Sequence, residues 1–383
     1  MASYKILVID GDAPSRNFVA NILRTEGHTV LMAASGEQGL SVALSDSPQM
    51  IIADPLLSDL PGEELAVRLR SDPRTAQIPL VALSHSARTT RLRAWLDSGF
   101  DDYLVKSPQV VPLLKASIAD LLGKGTRMHR EGGLLIPFLS AKGGLGTSSL
   151  CVNLASCIAA VEPDRRVAVM DLVLPMGSLA EIVGYQATQD LFTISQMPAG
   201  RTTAEELGRI LPRIQHWYFR LLAGSPDPDR ADRLSFARIG RIVSALKGAY
   251  DYVILDLGRS LSRISLPLIE GADLIVLTSS MDRDTVGLTR NAWQYLQARG
   301  VQSSGVYLIM NRTIQVEGLS REESEKTIGL PIRAALPYLG EKFSLANHWH
   351  QPYALKYPSD ATTLILKRAA QELVDAAKAQ RAG

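Results

Sequence analysis

A glycine-rich segment lies between a strand-like run and an apolar, helix-like run. Leu134–Ser140 predicts a buried strand, residues 141–149 read Ala-Lys-Gly-Gly-Leu-Gly-Thr-Ser-Ser, and Leu150–Ala160 predicts a helix. Glycine-rich turns alone are common, but in this order backbone N–H groups wrap phosphate oxygens and the helix N-terminus adds partial positive charge. Ser148 stands where a hydroxyl ligates Mg²⁺ in such loops. The sequence therefore predicts a phosphate-binding site here.

A second set of polar residues follows strand-like runs near the N-terminus. Asp10 and Asp12 follow the first run, Asp54 the third, Ser84 the fourth and Lys106 the fifth. The carboxyl ends of parallel strands meet at one edge of a sheet, and clustered carboxylates there bind Mg²⁺. A hydroxyl and an ammonium opposite them hold the oxygens of a phosphoryl group on a carboxylate. A single Asp at a strand end often only caps the next helix. The prediction therefore rests on finding such residues at the ends of several strands.

The elements that position the acidic residues alternate between strands and helices over about 120 residues, which predicts a doubly wound parallel sheet in an α/β domain. The predicted strands are Ile6–Ile9, Thr29–Met32, Met50–Ala53, Leu80–Leu83 and Tyr103–Val105. The predicted helices are Ser15–Glu26, Gly36–Ser45, Gly62–Ser71, Thr89–Ser98 and Val110–Leu122.

A second alternating series predicts another doubly wound sheet around the glycine-rich loop. Its predicted strands are Leu134–Ser140, Val167–Asp171, Tyr218–Ala223, Tyr252–Asp256, Leu274–Thr278 and Val306–Met310, and a last helix spans about Thr362–Lys378. Pro137 inside the first strand calls for a bulge or a shifted strand, because proline lacks the N–H of a central ladder. We expect domains at 1–122 and 134–383, joined by a polar, glycine-rich linker at 123–133.

The composition sets limits on function. Lys and Arg number 41 against 39 Asp and Glu, a net charge of +2, and residues 1–122 hold 11 basic against 14 acidic residues. A net charge this close to zero gives no electrostatic argument that the protein as a whole binds nucleic acid. The only cysteines, Cys151 and Cys157, lack metal-site spacing and suit a reduced compartment. No apolar run approaches a membrane span and no signal peptide is evident, so we expect a cytoplasmic protein.

Residues 1–120 resemble a response-regulator receiver domain, which has a flavodoxin-like fold. The matching segments are Leu7-Val-Ile-Asp10, Asp54 with Gly62 eight residues on, Val81-Ala-Leu-Ser84 and Gly99-Phe-Asp-Asp-Tyr-Leu-Val-Lys106. The resemblance implies that Asp54 accepts a phosphoryl group, that Ser84 and Tyr103 act as the switch residues and that Lys106 contacts the phosphate.

The receiver resemblance also implies a Mg²⁺ site formed by Asp10, Asp12 and Asp54, and a histidine kinase as partner. It departs at Gly11, where the family carries a second acidic residue, and Asp12 is displaced by one position. Two interpretations stay open: Asp54 is phosphorylated, or the receiver fold is kept as an interaction module.

The glycine-rich loop resembles the deviant Walker A loop of the MinD/ParA superfamily of P-loop ATPases. The resemblance implies ATP and Mg²⁺ as ligands, with Ser148 and Asp256 on the metal and Asp171 as the first aspartate of the second motif. Lys142 matches the lysine that reaches the nucleotide of the partner in an ATP-dependent homodimer. The implied nucleotide-binding residues are Lys142, Gly143, Gly144, Leu145, Gly146, Thr147, Ser148, Ser149, Asn311 and Arg312.

Two departures from the MinD/ParA pattern predict weak hydrolysis at most. Thr147 replaces the general Walker lysine, and a lost charge-assisted hydrogen bond weakens nucleotide affinity about 10- to 150-fold. Val173 replaces a second aspartate, and an apolar side chain cannot position the attacking water. Asp171 would be the remaining catalytic residue.

The pairing of a receiver-like with a MinD/ParA-like domain resembles the CpaE/TadZ proteins of type IVb (Flp/Tad) pilus assembly. This resemblance implies a dimeric, ATP-binding scaffold that recruits pilus assembly proteins at a cell pole or, through partners, at the inner membrane. It implies neither a specific nucleic-acid partner nor an integral membrane segment. The alternatives are an ATPase that cycles on a membrane or DNA, and an output protein gated by phosphorylation of Asp54.

Overall fold

The chain folds into two compact units in a computed structural model. The structure describes residues 3–76, 78–85, 95, 98–107, 110–122, 132–186, 189–197, 201–231, 234, 236–262, 264–313 and 318–382. The first unit comprises residues 1–125 with 196–202 and 233–241, and the second comprises 126–195, 203–232 and 242–383.

The first unit contains a parallel five-stranded sheet in the order β2-β1-β3-β4-β5. Its strands are β1 (Lys5–Ile9), β2 (Thr29–Ala33), β3 (Met50–Ala53), β4 (Leu80–Ser84) and β5 (Asp102–Val105). Its helices in the described residues are α1 (Ala13–Thr25), α2 (Gly36–Asp46), α3 (Gly62–Ser71) and α4 (Val110–Leu122). The predicted α/β architecture is confirmed for this unit. Most of the predicted helix 89–98, and residues 123–131 of the predicted linker, lie outside the described residues.

Both faces of the first sheet are buried. Alternate residues of β1 enter two different apolar clusters, Leu7 and Ile9 on one face and Ile6 and Val8 on the other. Continuous apolar strands are typical of parallel sheets covered by helices on both sides. Polar side chains are therefore left to the carboxyl ends of the strands.

The second unit contains a mostly parallel sheet in the order β13-β12-β11-β6-β10-β7-β9-β8, in which β8 runs antiparallel to β9. Its strands are β6 (Leu134–Ser140), β7 (Val167–Asp171), β8 (Arg213–Ile214), β9 (Phe219–Leu222), β10 (Tyr252–Asp256), β11 (Ile275–Ser279), β12 (Val306–Thr313) and β13 (Ile332–Pro337). Among the described residues its α-helices are α5 (Thr147–Val161), α6 (Leu179–Val183), α7 (Leu191–Ser195), α8 (Ala204–Ile210), α9 (Pro228–Ala231), α10 (Phe236–Ala249), α11 (Ser265–Glu270), α12 (Arg283–Ala298), α13 (Arg321–Ile328), α14 (Glu341–His348), α15 (Tyr353–Lys356) and α16 (Ala361–Ala382). Residues 236–241 of α10 belong to the first unit.

The sheet differs from the sequence prediction at its two edges. The short strand β8 and the edge strand β13 were not predicted, since a two-residue strand carries no periodic signal and β13 reads Ile-Arg-Ala-Ala-Leu-Pro, with weak β formers at its centre. Pro137 sits in register opposite Leu255, without the predicted shift. The Phe138 carbonyl accepts from Leu257 N on the β10 side, so the missing N–H of Pro137 faces β11, whose pairing with β6 begins one residue later.

The helix α16 packs against α5 and extends four residues beyond its predicted end. Arg381 near its end forms a two-point ion pair with the buried carboxylate of Asp273, at 2.9 and 2.5 Å, and binds the carbonyls of Gly132 and Gly133. Asp273 Oδ2 also accepts from Leu135 N at 2.7 Å. In the part of the chain that the structure describes, no helix has the length and apolarity to cross a membrane.

Replacing Asp273 with alanine is expected to destabilise the second unit by about 3–5 kcal/mol, because the change removes one partner of a buried ion pair and leaves Leu135 N unpaired. Asp375→Ala on the exposed face of α16 is the matched control, with an expected change within about 0.5 kcal/mol. Denaturant unfolding of the two variants measures the difference. Equal midpoints would contradict an anchoring role for Asp273.

Candidate functional site

The glycine-rich loop continues directly from β6, at the carboxyl edge of the second sheet. Gly144 and Gly146 have φ of +80° and +77°, values that favour glycine, and Gly146 is the N-cap of α5. Asn311 at the carboxyl end of β12 donates from Nδ2 to the Leu145 carbonyl at 2.6 Å. Two glycines and one amide thus set the shape of the loop.

Asp256 ends β10 beside this loop and is fully buried. Its Oδ1 accepts from Gly258 N at 3.0 Å, whereas its Oδ2 has no hydrogen-bond partner within the described residues. Burial, followed by repulsion from Asp171, raises the pKa of Asp256 to about 7, against a partial lowering by the Ser148 hydroxyl and the Gly258 N–H. An unpartnered buried carboxylate oxygen beside a hydroxyl matches the oxygen donors that Mg²⁺ prefers.

Asp171 ends the neighbouring strand β7 and faces away from water. Its carboxylate accepts from Leu179 N at 2.9 Å and Val173 N at 3.1 Å. A Cβ on Gly177 or Gly224 would collide with it, so both glycines permit this enclosure. Burial raises the pKa of Asp171, although these N–H donors oppose the rise. Because its oxygens serve the backbone of the β7–α6 loop, this geometry argues against the predicted role of Asp171 in hydrolysis.

Thr147 and Val173, the two positions at which the chain departs from the MinD/ParA pattern, are both packed against neighbouring residues. Thr147 is buried and its Oγ1 has no hydrogen-bond partner in the described residues. Val173 is half-buried, and its Cγ2 lies 3.1 Å from where a Cβ on Gly258 would stand. The structure thus places a neutral hydroxyl and an isopropyl group at these two positions.

Lys142 projects from the loop with 44% of its side chain exposed. Its Nζ lies 3.3 Å from Oδ1 of Asp282, the N-cap of α12. Burial alone would raise the pKa of Asp282, but hydrogen bonds from Ser280 and Thr285 and the nearby Lys142 hold it well below its usual range. The ammonium therefore meets a fixed negative charge. Sequence reasoning missed Asp282, whose signal is an Asp that follows a buried strand and precedes a helix.

Two clefts flank the loop, and all of the predicted nucleotide-binding residues except Thr147 and Ser148 line one or both of them. Arg312, with φ of +55°, lines both clefts. The first cleft is lined by Lys142, Gly143, Gly144, Leu145, Ser280, Met281, Asp282, Arg312 and Gly318. The second is lined by Gly146, Ser149, Asn311, Arg312, Pro337, Tyr338, Leu339, Gly340, Phe343, Ser344 and Asn347.

In the first unit, Lys106 bridges two of the predicted acidic residues. Its Nζ donates to Asp10 Oδ2 at 2.7 Å and to Asp54 Oδ2 at 2.6 Å, and all three side chains are nearly buried. Burial lowers the pKa of Lys106, but the hydrogen bonds from Nζ to both carboxylates outweigh it and raise the pKa overall. Ser84 is buried at the end of β4, and burial, with the nearby Asp102, raises the pKa of the half-buried Tyr103.

Asp12 does not join Asp10 and Asp54. Its Oδ2 accepts from Ser15 N at 2.9 Å, so the carboxylate caps α1 on the exposed surface. Over the described residues there is no group of three acidic, histidine or cysteine side chains that could hold a metal ion. The residues present therefore do not fit the predicted three-carboxylate Mg²⁺ site, and Asp12 does not replace the acidic residue missing at Gly11.

Two residues that the sequence analysis did not single out complete the surroundings of Asp10. The Ser15 hydroxyl donates to Asp10 Oδ2 at 2.7 Å, and Arg16 donates to the Asp10 carbonyl at 2.5 Å. Both lie in the first turn of α1, five and six residues after Asp10. This closeness in the sequence is the only signal that could have indicated them. The pocket thus balances two carboxylates against an ammonium and a guanidinium.

Comparison with known proteins identifies the first unit. Residues 6–117 match the family model of the response regulator receiver domain. An uncharacterised 14.6 kDa protein of Leptolyngbya boryana is 32% identical over 115 residues, which are 30% of this chain and 88% of that protein. Residues 6–117 belong to the response regulator receiver family.

The receiver domain is also similar to parts of longer regulators. The transcriptional regulatory protein AfsQ1 of Streptomyces coelicolor is 35% identical over 122 residues, 32% of this chain and 52% of that protein. The phosphate regulon transcriptional regulatory protein PhoB of Pseudomonas aeruginosa is 34% identical over 144 residues, 37% of this chain and 63% of that protein. The chain spans less than two thirds of either regulator.

Solved structures show the fold of the second unit. A ParA family ATPase from Chlorobium tepidum aligns with a TM-score of 0.59 at 23% identity, over 63% of this chain and 99% of that one. The septum site-determining protein MinD of Pyrococcus horikoshii, solved with Mg-ADP, aligns with a TM-score of 0.55 at 18% identity, over 65% and 98% of the chains. The second unit therefore has a MinD/ParA-like ATPase fold, and the predicted fold class is confirmed.

Replacing Gly11 with aspartate is expected to complete the acidic pocket of the receiver domain. A Cβ at Gly11 would meet only the Ala34 carbonyl at 3.8 Å, so the side chain fits without strain. The variant should bind Mg²⁺ and label faster than the wild type with acetyl phosphate and Mg²⁺, as read by intact mass. Gly11→Asp with Asp54→Asn is the control and should give no adduct. Equal labelling of wild type and Gly11→Asp would contradict the expectation.

The pKa of Asp256 predicts a pH dependence of stability. Between the ordinary value near 3.8 and about 7, the folded state keeps a proton that the unfolded state loses, so stability falls as pH rises through this window. The total loss is of the order of 4 kcal/mol as an upper bound. Asp256→Asn should remove this dependence of stability on pH. Asp284→Asn, on the exposed face of α12, is the control and should keep it. Urea unfolding from pH 5 to 8 measures it; an unchanged slope in Asp256→Asn contradicts the assignment.

Proposed function

We propose that the second unit binds ATP with Mg²⁺ at the glycine-rich loop and hydrolyses it slowly or not at all. The observation that carries the proposal is the buried, unpartnered Oδ2 of Asp256 beside Ser148, at the mouth of a strand–loop–helix phosphate cradle. The likeness to MinD solved with Mg-ADP supports the same ligand class. Binding of a divalent cation would supply the positive charge that this carboxylate lacks.

Each part of the site has a distinct role in this proposal. The backbone N–H groups of residues 143–148 surround the phosphates, and Ser148 and Asp256 hold Mg²⁺, which neutralises phosphate charge when bound. Asn311 keeps the loop in shape through the Leu145 carbonyl. Arg312 lines both clefts and would face the base of the nucleotide, as the resemblance to the MinD/ParA superfamily implies.

Slow turnover follows from the same residues. Thr147 brings no charge to the phosphates, and Val173 cannot orient a water. Asp171 is enclosed by backbone donors, so it offers no accessible base to replace them. A nucleotide that stays bound serves a switch between conformations or assembly states, which needs differential affinity and not rapid chemistry.

We place dimerisation at the face that carries Lys142. Lys142 is exposed, and Asp282 is its one ion-pair partner among the described residues, so its ammonium is available to reach the nucleotide of a second copy, as in the resembled superfamily. A nucleotide phosphate would then replace Asp282 as the partner of Lys142. The resemblance to CpaE/TadZ proteins extends the proposal to a scaffold that recruits type IVb pilus assembly proteins at a cell pole.

The receiver domain supports a second candidate function, an output gated by phosphorylation of Asp54. The contact of Lys106 Nζ with Asp54 Oδ2 at 2.6 Å favours it, because this ammonium can neutralise a phosphoryl group on that carboxylate. The absence of a third acidic ligand among the described residues favours the interaction module instead. The two candidates are compatible with an ATP-dependent scaffold in the second unit.

A Lys142→Ala variant tests the scaffold. Light scattering of the full chain should show a mass increase on addition of ATP and Mg²⁺ in the wild type and none in Lys142→Ala, while phosphate release stays slow. Lys367→Ala on the exposed face of α16 is the control and should behave like the wild type.

Two outcomes of the Lys142 experiment would overturn the scaffold. Rapid phosphate release by the wild type would favour a cycling ATPase of the MinD/ParA kind. An unchanged mass without ATP binding would indicate a scaffold that works without nucleotide.

A further inference from the structure

The phosphate loop has no cation at the position that Thr147 occupies. The acidic groups near the loop are Asp171, Asp256 and Asp282, and the one lysine of the loop, Lys142, is paired with Asp282. A further cation close to the loop would therefore strengthen the binding of a polyphosphate there.

Arg259 is placed to supply this cation. It follows the end of β10 by three residues, in the turn where Gly258 has φ of +57° and donates its N–H to Asp256. The Arg259 Cδ stands 4.0 Å from the position that a Cβ on Gly143 would take, so its stem lies beside the loop. The guanidinium begins one bond beyond that carbon.

The guanidinium of Arg259 is also uncommitted. Arg259 is exposed, and within the described ranges no hydrogen bond or ion pair engages it. Two other basic side chains lie near the loop: Lys142 is paired with Asp282, and the exposed Arg312 lines both clefts. A planar guanidinium is well suited to phosphate oxygens because it donates two parallel hydrogen bonds.

We propose that Arg259 contacts the phosphates of the bound nucleotide and supplies in cis the charge that is missing at Thr147. The inference rests on the proposed nucleotide binding of the second unit. The ligand class is a nucleoside di- or triphosphate, and the contribution of Arg259 falls on the phosphates, not on the base or ribose. In this proposal the end of β10 and the turn after it provide both Asp256, which would bind Mg²⁺, and Arg259, which would contact the phosphates.

Calorimetric titration of the full chain with ATP, ADP and adenosine, each with Mg²⁺, tests the assignment. Arg259→Ala should weaken ATP binding about 10- to 150-fold, the effect of losing one charge-assisted hydrogen bond, and leave adenosine unchanged. Arg259→Lys should keep most of the affinity, and Thr147→Lys should restore it in the Arg259→Ala background. Arg290→Ala is the matched control, because this exposed arginine of α12 is hydrogen-bonded, within the described part of the chain, only to its neighbour Asn291.

The outcomes separate this inference from the proposed function. If the wild type binds ATP and Arg259→Ala binds it within about twofold, the role of Arg259 is overturned while the nucleotide site stands. An equal loss for ATP and adenosine overturns it too, because a phosphate contact cannot act on adenosine. If the wild type binds no nucleotide, both are overturned. Unchanged melting temperatures show that the variants fold.

Discussion

The second unit depends on two carboxylates buried side by side at the ends of adjacent strands. Asp171 and Asp256 stand opposite each other in the register of β7 and β10, and both are fully shielded from water. The two carboxylates differ in how their oxygens are hydrogen-bonded. Asp171 accepts hydrogen bonds from backbone donors, while one oxygen of Asp256 has no hydrogen-bond partner among the residues that the structure describes. The loop, the turn after β10 and the glycines around Asp171 are all arranged about this unequal pair.

The receiver domain handles the same electrostatic problem in the opposite way. There, two nearly buried carboxylates share the ammonium of Lys106, so the pocket is neutralised by the chain itself. In the second unit, Asp256 Oδ2 has no hydrogen-bond partner within the described residues, and burial raises the pKa of this carboxyl to about 7. The receiver pocket is thus compensated by a side-chain cation, whereas the buried carboxyl of the second unit is neutralised most readily by a proton, although both stand at the carboxyl edge of a parallel sheet.

The fold could be predicted from the sequence because the buried strands of parallel sheets form recognisable apolar runs. Buried strands appear as continuous apolar runs, and the bounds predicted for Tyr252–Asp256 match the structure. The edge strands β8 and β13 could not be found, since their pairing is decided by tertiary contacts. The same holds for the sites. Strand-end position indicated Asp256 and Lys106, but only packing distinguishes Asp12 as a helix cap, Asp171 as an enclosed side chain and Arg259 as a neighbour of Gly143.

The grip of Arg381 on the carbonyls of Gly132 and Gly133 has a consequence for synthesis on the ribosome. The two partners are separated by as many as 249 positions, so the first strand of the second unit receives its final contacts only after α16 has emerged. The receiver domain can complete its sheet long before that, because its strands lie within residues 5–105. Vectorial translation therefore leaves the segment that leads into β6 without its Arg381 contacts until the chain is almost complete.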